Sequence, residues 1–323
     1  MMLGRNIFPI GIQKVFYFLG TTWLAIMLYI TIYFLLTDFI YWLNRFLHFI
    51  PQNITSRLFY RAQVFSGYII IFIILFVGHQ KFTHPVAVEK EIFIDKPGTN
   101  FKELKVVAFS DIHLGITIDK EKLKKYVRLI NEQEPDIILI AGDMIDNNTR
   151  PLMEEKMYEE INRLQAPLGI YLCLGNHEYL SGIEQSLEFL KKTNVILLRD
   201  KALQIDDSFW VIGRDDRFNE NRLSLDELVA KTDPSQPLFL LDHQPYHLEV
   251  AEENGIDLQF SGHTHNGQLW PLNLIVDRIY EVGHGYKEKG NTHIYISSGL
   301  ALWGPEYRIG TQSELVVFNI RFN

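Results

Sequence analysis

Five short stretches of the chain carry the residue types that bind hard metal ions. They are Asp111–Ile112–His113, Gly142–Asp143, Asn176–His177 after Gly175, a lone His243, and Gly262–His263–Thr264–His265. Taken singly, each has an ordinary explanation. An Asp at a strand end is usually a turn residue or a helix cap, and a lone His is usually a satisfied structural residue. The His263–His265 pair resists that explanation, because alternate residues of an extended chain share a face. Together the five offer carboxylate, amide carbonyl and imidazole donors, a set suited to Mn, Fe or Zn rather than to thiolate-seeking ions. The one cysteine, Cys173, excludes an intrachain disulfide framework and a zinc–thiolate cluster built by this chain alone. It reads as a small buried hydrophobe in mid-strand.

Each stretch closes a short apolar run. KVVAFSD ends at Asp111, DIILIAGD at Asp143, IYLCLGN at Asn176, LFLLDH at His243, and LQFSGHTH at His263 and His265. Short apolar runs bounded by glycines and acids read as buried strands. Between the first three lie helical patterns at 119–133, 152–165 and 183–192. The first has Asp119 as a cap and sets Leu123, Val127 and Ile130 on one face. βαβ units are therefore expected first and strand-rich sequence later, with HIYISSG and ELVVFNI as late strands. Function in open α/β sheets collects at the carboxyl ends of strands, where five successive strands here end in a candidate ligand.

The sequence before these runs has a different texture. Of 323 residues, 47% are apolar and 13% aromatic, which excludes disorder. Residues 1–80 carry Arg5, Lys14, Arg45, Arg57 and Arg61 against Asp38, a net +4, and the remainder is at −12. An acidic body is a poor partner for nucleic acid, whose affinity comes mainly from phosphate neutralisation. Between Lys14 and Asp38 stand 23 uncharged residues, and about 20 of them would cross a hydrocarbon core of ~30 Å. A second uncharged run extends from Ala62 to Gln80. FIYWLNRFLHFI, between the two, either prolongs the first helix or lies in the interface. The expected organisation is a membrane anchor with two transmembrane helices over 1–81 and a linker over 82–100. That linker holds Pro85, Pro97, Gly98 and a first strand VEKEIFI, and the body covers 101–323. Two spans put the start of the chain and the body on one side of the membrane, and the basic residues are too evenly divided to say which face. Residues 1–80 supply no candidate ligand and are expected to hold the body at the bilayer without building its site.

DIH, GD, GNHE, the lone His and GHTH, in this order, resemble the calcineurin-like metallophosphoesterases over about residues 100–320. SDIHLG, GNHEY, LLDHQP, GHTHNGQ and SSGLALWGPEYRIG resemble more finely a membrane-tethered bacterial branch that includes UDP-2,3-diacylglucosamine hydrolases. At Asn266 the family often has glycine. The resemblance implies a four-layer α/β/β/α sandwich, preceded by the transmembrane segment, with a site for two divalent ions. Asp111, His113, Asp143 and His265 would hold one ion, and Asp143, Asn176, His243 and His263 the other, so that Asp143 bridges. A metal-bridging hydroxide would attack phosphorus in line. His177 would stabilise phosphoryl charge or protonate the leaving oxygen, which with Asp143 and Asn176 makes the expected catalytic set. Glu178 would orient His177, support the ligands or serve as a helix cap, and Asp146 would be a turn residue or a support to the ligands.

The implied function is phosphodiester, phosphomonoester or pyrophosphate hydrolysis at the bacterial cytoplasmic membrane. The tether points to a lipid-linked or envelope substrate. Rival readings are a phosphodiesterase on small soluble substrates and a non-catalytic scaffold of the same fold. Arg308 either faces an anionic substrate or pairs with Glu314 at the surface. Trp303 and Tyr307 either line an acyl-chain entrance or pack in the core. Trp270 and Pro271 are expected to pack the loop after GHTHNGQ, and Asp215–Asp216 to lie near the site outside the ligand set.

Overall fold

The computed structural model describes residues 8–50, 57–96 and 100–323, with backbone only at 57–59. The expected roles of Arg5, Pro97 and Gly98 fall outside the described residues. Two long helices come first, Ile10–Leu47 (α1) and Arg57–Thr83 (α2), then strands Val86–Ile94 (β1) and Glu103–Phe109 (β2). A helix-rich stretch follows: Lys120–Asn131 (α3), Ile137–Ala141 (β3), Arg150–Glu154 (α4), Tyr158–Ile161 (α5), Ile170–Cys173 (β4), Asn176–Leu180 (α6), Ile183–Leu190 (α7) and Ile196–Leu197 (β5). Next come Lys201–Ile205 (β6), Phe209–Gly213 (β7), Leu225–Val229 (α8), Leu238–Leu241 (β8), Leu248–Glu253 (α9) and Leu258–Ser261 (β9). A short 3-10 turn at His265–Gly267 precedes Asn273–Ile279 (α10), and Gly285–Lys289 (β10), Thr292–Ile296 (β11) and Glu314–Phe322 (β12) follow.

The strands form two six-stranded sheets, in the orders β1-β12-β2-β3-β4-β5 and β10-β11-β9-β8-β7-β6. In the first, β2 to β5 run parallel and β12 antiparallel to β2. In the second, β7, β8, β9 and β11 are parallel, with antiparallel β6 and β10 at the edges. Continuous apolar runs such as Ile137–Ala141 are buried along their whole length, as strands covered on both faces must be. One core lies between the sheets, where Val106, Leu139 and Phe318 meet Phe209, Phe239 and Phe260. A second lies between the first sheet and the helices, joining Phe109, Ile140 and Val317 to Leu123, Val127 and Ile130. A third packs α8 and α9 on the outer face of the second sheet. The layers are therefore α/β/β/α, as expected.

Local signals explain the elements. The Asp119 carboxylate accepts from the Lys122 amide at the start of α3 and caps it. The pattern at 152–165 differs from expectation: it forms two short turns, α4 and α5, broken at Lys156 with φ 49°. The break lets Leu152, Met157 and Ile161 all turn into the core.

α1 takes in FIYWLN and runs on to Leu47, and α1 and α2 are both long and apolar enough to cross a membrane. Their outer faces are uncovered, with Leu24 67% and Phe72 69% exposed. They also fasten to the body. Phe82, in the last turn of α2, is fully buried in the helix-side core. Ala25, Tyr29, Ile71 and Leu75 pack against Leu269 and Tyr307. Lys14 bridges to Asp119 and Glu155 at 3.1 and 3.4 Å.

Candidate metal centre

β2, β3, β4, β8 and β9 end side by side, and the loops that follow carry every expected ligand to one place. Five of these residues, Asp111, His113, Asp143, His263 and His265, have φ between 48° and 71°. Non-glycine residues enter this left-handed region at a cost, and such strain persists where surrounding structure fixes it, commonly at functional sites. Asn266, at φ 48°, is there too. Asn is among the side chains that tolerate this conformation best, which accounts for its replacing glycine. Gly142 is needed twice over: its φ is 73°, and a Cβ would lie 2.7 Å from His243 Nδ1. A Cβ at Gly262 would overlap the Asp111 carboxylate.

Two groups of donor atoms result. In the first, Asp111 Oδ1 lies 3.7 Å from His113 Nε2 and 3.4 Å from His265 Nε2, and the two imidazole nitrogens are 3.1 Å apart. In the second, His243 Nε2 is 3.2 Å from both Asp143 Oδ2 and Asn176 Oδ1, and His263 Nδ1 is 2.8 Å from the same Asn176 oxygen. Asp143 Oδ2 also lies 3.8 Å from His113 Nε2, so it stands between the groups. Asp111, His113, Asp143 and His243 are almost wholly buried.

Neighbouring groups fix these side chains. His243 Nδ1 donates to the Ala141 carbonyl at 2.7 Å, which directs Nε2 inward. The His263 amide donates to Asp111 Oδ2 and the His177 amide to Asp143 Oδ1. Glu178 does not touch the His177 ring. Its buried carboxylate accepts from the amides of Gly175, Ile145 and Asp143 at 2.7, 2.9 and 3.1 Å, tying the β3 and β4 loops together. The His177 ring is held instead by Asp146, whose carbonyl accepts from Nδ1 at 2.7 Å. The Asp146 carboxylate also stands 3.8 Å from His113 Nδ1.

The charges are strongly interdependent. Burial works against ionisation of Asp143, yet His243, His113 and His177 hold its carboxyl well below the usual range. Burial alone would lower His243, but Asp143 and Asp111 raise it well above the usual imidazole value. Burial and the nearby His243 push His263 down to about 4. Burial raises Glu178 to about 7, with help from Asp143. Against the effect of burial, Asp146 and Asp143 raise His177 to about 9.

The remaining assignments divide. Arg308 neither faces the cavity nor pairs at the surface. It is fully buried, and its guanidinium donates to the carbonyls of His265, Gly299 and Ala301, while its amide donates to the Gly78 carbonyl of α2 at 2.9 Å. Glu314 instead accepts from the Ser298 amide and His284. Tyr307 is buried against the helical hairpin, 3.2 Å from the Thr22 hydroxyl. Trp270 is not packed away but 45% exposed. Asp216 holds Gln244, beside His243, and Asp215 holds Tyr179 and Arg199.

Two cavities meet at His177 and Trp303. The first, of about 460 Å³, has Asp143, Asn176, His263 and His265 at its polar end and Leu269, Leu272, Ile275 and Val276 along its wall. The second, of about 500 Å³, is lined by Asp146, Asn147 and Pro151 and also by Gln13 and Tyr17 of α1. α1 thus lines the cavity beside His177, while the donor groups themselves all come from the body. A 38-residue α1 is long enough both to cross a membrane and to run along the body.

Residues 104–267 match the sequence profile of the calcineurin-like phosphoesterases, and the chain belongs to that family. It is 33% identical to an uncharacterized metallophosphoesterase of Helicobacter pylori (strain J99) over 75% of this chain and 65% of that protein. To one of Aquifex aeolicus it is 32% identical over 68% of this chain and 85% of that protein. A Bos taurus transmembrane protein with metallophosphoesterase domain is 30% identical over 72% of this chain and 56% of that protein. The chain thus spans slightly under two-thirds of the Helicobacter relative's length.

Proposed function

We propose that this chain is a membrane-held, metal-dependent phosphoester hydrolase that uses two divalent ions and acts on a lipid-linked phosphate ester. The observation that carries this reading is the pair of donor groups meeting at Asp143. Donor atoms that share an ion at about 2.1 Å lie roughly 3.0–3.5 Å from one another, and most separations above fall close to that range. The donors also suit a hard or borderline divalent ion. Asp111, His113 and His265 would hold one ion, Asn176, His243 and His263 the other, and Asp143 both. When bound, such ions polarise phosphoryl oxygens and acidify a coordinated water.

The chain's own residues supply the rest. The Ala141 carbonyl fixes the His243 tautomer, and the Glu178 carboxylate fixes the loops that carry Asp143 and Asn176. His177, with Nδ1 committed to Asp146, offers Nε2 to the phosphoryl group or to the leaving oxygen. The uncovered apolar faces of α1 and α2 support membrane spanning, and the apolar wall of the first cavity supports a substrate with an acyl chain.

Asp143→Asn tests the two-ion assignment. Hydrolysis of bis(p-nitrophenyl) phosphate by the purified full chain should fall by several orders of magnitude, and metal content by mass spectrometry should fall with it. Near-normal turnover in that variant would exclude the assignment.

A further inference from the structure

The segment after the GHTH stretch is unusual for a protein surface. In α10 and just before it, Trp270, Leu272, Leu274, Ile275 and Ile279 are all well exposed, the last three at 59, 56 and 58%. Exposed apolar patches of this kind mark binding faces. The patch is continuous with the helical hairpin: Tyr29 of α1 donates its hydroxyl to the Trp270 carbonyl at 2.8 Å, and Leu269 packs with Ala25, Ile71 and Leu75. Body contacts therefore run along α1 from Lys14 to Tyr29, about 22 Å of helix at ~1.5 Å per residue. Most of that length lies inside the uncharged stretch beginning at Val15. Whatever surrounds the Ala25–Tyr29 end of this stretch also surrounds the patch beside it, while the Lys14 end pairs with Asp119 and Glu155. The only charges on α10 are Asp277 and Arg278 near its end, and an arginine stem can carry its head back to the interface.

We propose that α10 and Trp270 are inserted in the same bilayer leaflet as the hairpin, so that the first cavity opens into lipid rather than into water. Ile275 and Val276 line that cavity from α10, so a chain entering from the leaflet passes along them to His263 and His265. The inference rests on the membrane-spanning reading of α1 and α2, and deepens it by giving the body itself a lipid-facing side.

Depth measurement by spin labelling tests it. Single cysteines replace Leu274 or Ile279 on α10, Tyr68 on α2, and Glu188 on the exposed face of α7. The full chain is labelled with a nitroxide and reconstituted into phosphatidylcholine–phosphatidylglycerol vesicles, and the buried native Cys173 stays unlabelled. Oxygen should relax the Leu274→Cys and Ile279→Cys labels more than a water-soluble nickel chelate does, as at Tyr68→Cys, with the reverse at Glu188→Cys. If the α10 labels behave like Glu188→Cys while Tyr68→Cys reports lipid, the docking inference is overturned and the spanning reading stands. If Tyr68→Cys also reports water, both fall.

Discussion

His177 lines both cavities, and its Nδ1 is committed to the Asp146 carbonyl. Its removal should therefore separate metal binding from chemistry. His177→Ala should keep its metal content and lose roughly 10²–10⁴ in kcat, the usual size of a lost acid–base or charge-stabilising group. An emptied site in that variant would make His177 a ligand. Arg308 belongs to a different class of residue, since it holds three carbonyls and lines neither of these cavities. Arg308→Met removes the donor at the Ala301 carbonyl and one of two at His265 and Gly299, which keep the amides of Gln268 and Glu314, and should destabilise the protein by about 1–3 kcal/mol in a denaturant titration. The candidate ligands could be read from sequence because their types and spacing carry the signal. Arg308 could not, because its acceptors at 265, 299 and 301 converge only after folding.

At the scale of elements, apolar runs ending in Asp, Asn or His announced β2, β3, β4, β8 and β9. β3, β4 and β8 are covered on both faces and so have no polar alternation. The split of 152–165 into α4 and α5 was not legible, because the left-handed turn at Lys156 serves packing against the sheet rather than a local preference. Nor was the docking of the hairpin on the body, which depends on partners more than two hundred residues apart, such as Tyr29 and Trp270. That docking changes what truncation should do. Removing residues 1–80 uncovers Leu269, Tyr307 and Ile309, at roughly 1.5–3 kcal/mol for each large apolar side chain. The truncated body should melt about 10 °C or more below the full chain. Its turnover of a small soluble diester should also drop, since Gln13 and Tyr17 leave the wall beside His177. Unchanged melting and turnover would mean that the hairpin is only a tether.

For the whole molecule, the division between a basic hairpin and an acidic body read from composition understates how closely the two are joined. One connection runs from the helical hairpin to a candidate metal ligand in two steps: the Gly78 carbonyl of α2 accepts the Arg308 amide, and the Arg308 guanidinium holds the carbonyl of His265. A Cβ at Gly78 would lie 2.7 Å from Ile309, so α2 has no slack to slide past this point. Transmembrane helices answer a thicker or thinner bilayer by changing tilt, and here a change of tilt pulls on the backbone of a candidate ligand. On the proposed reading, turnover is therefore expected to respond to bilayer thickness. Turnover of a water-soluble diester, which never enters the lipid, should vary with acyl-chain length in vesicles carrying the full chain, and should be indifferent to it once residues 1–80 are gone.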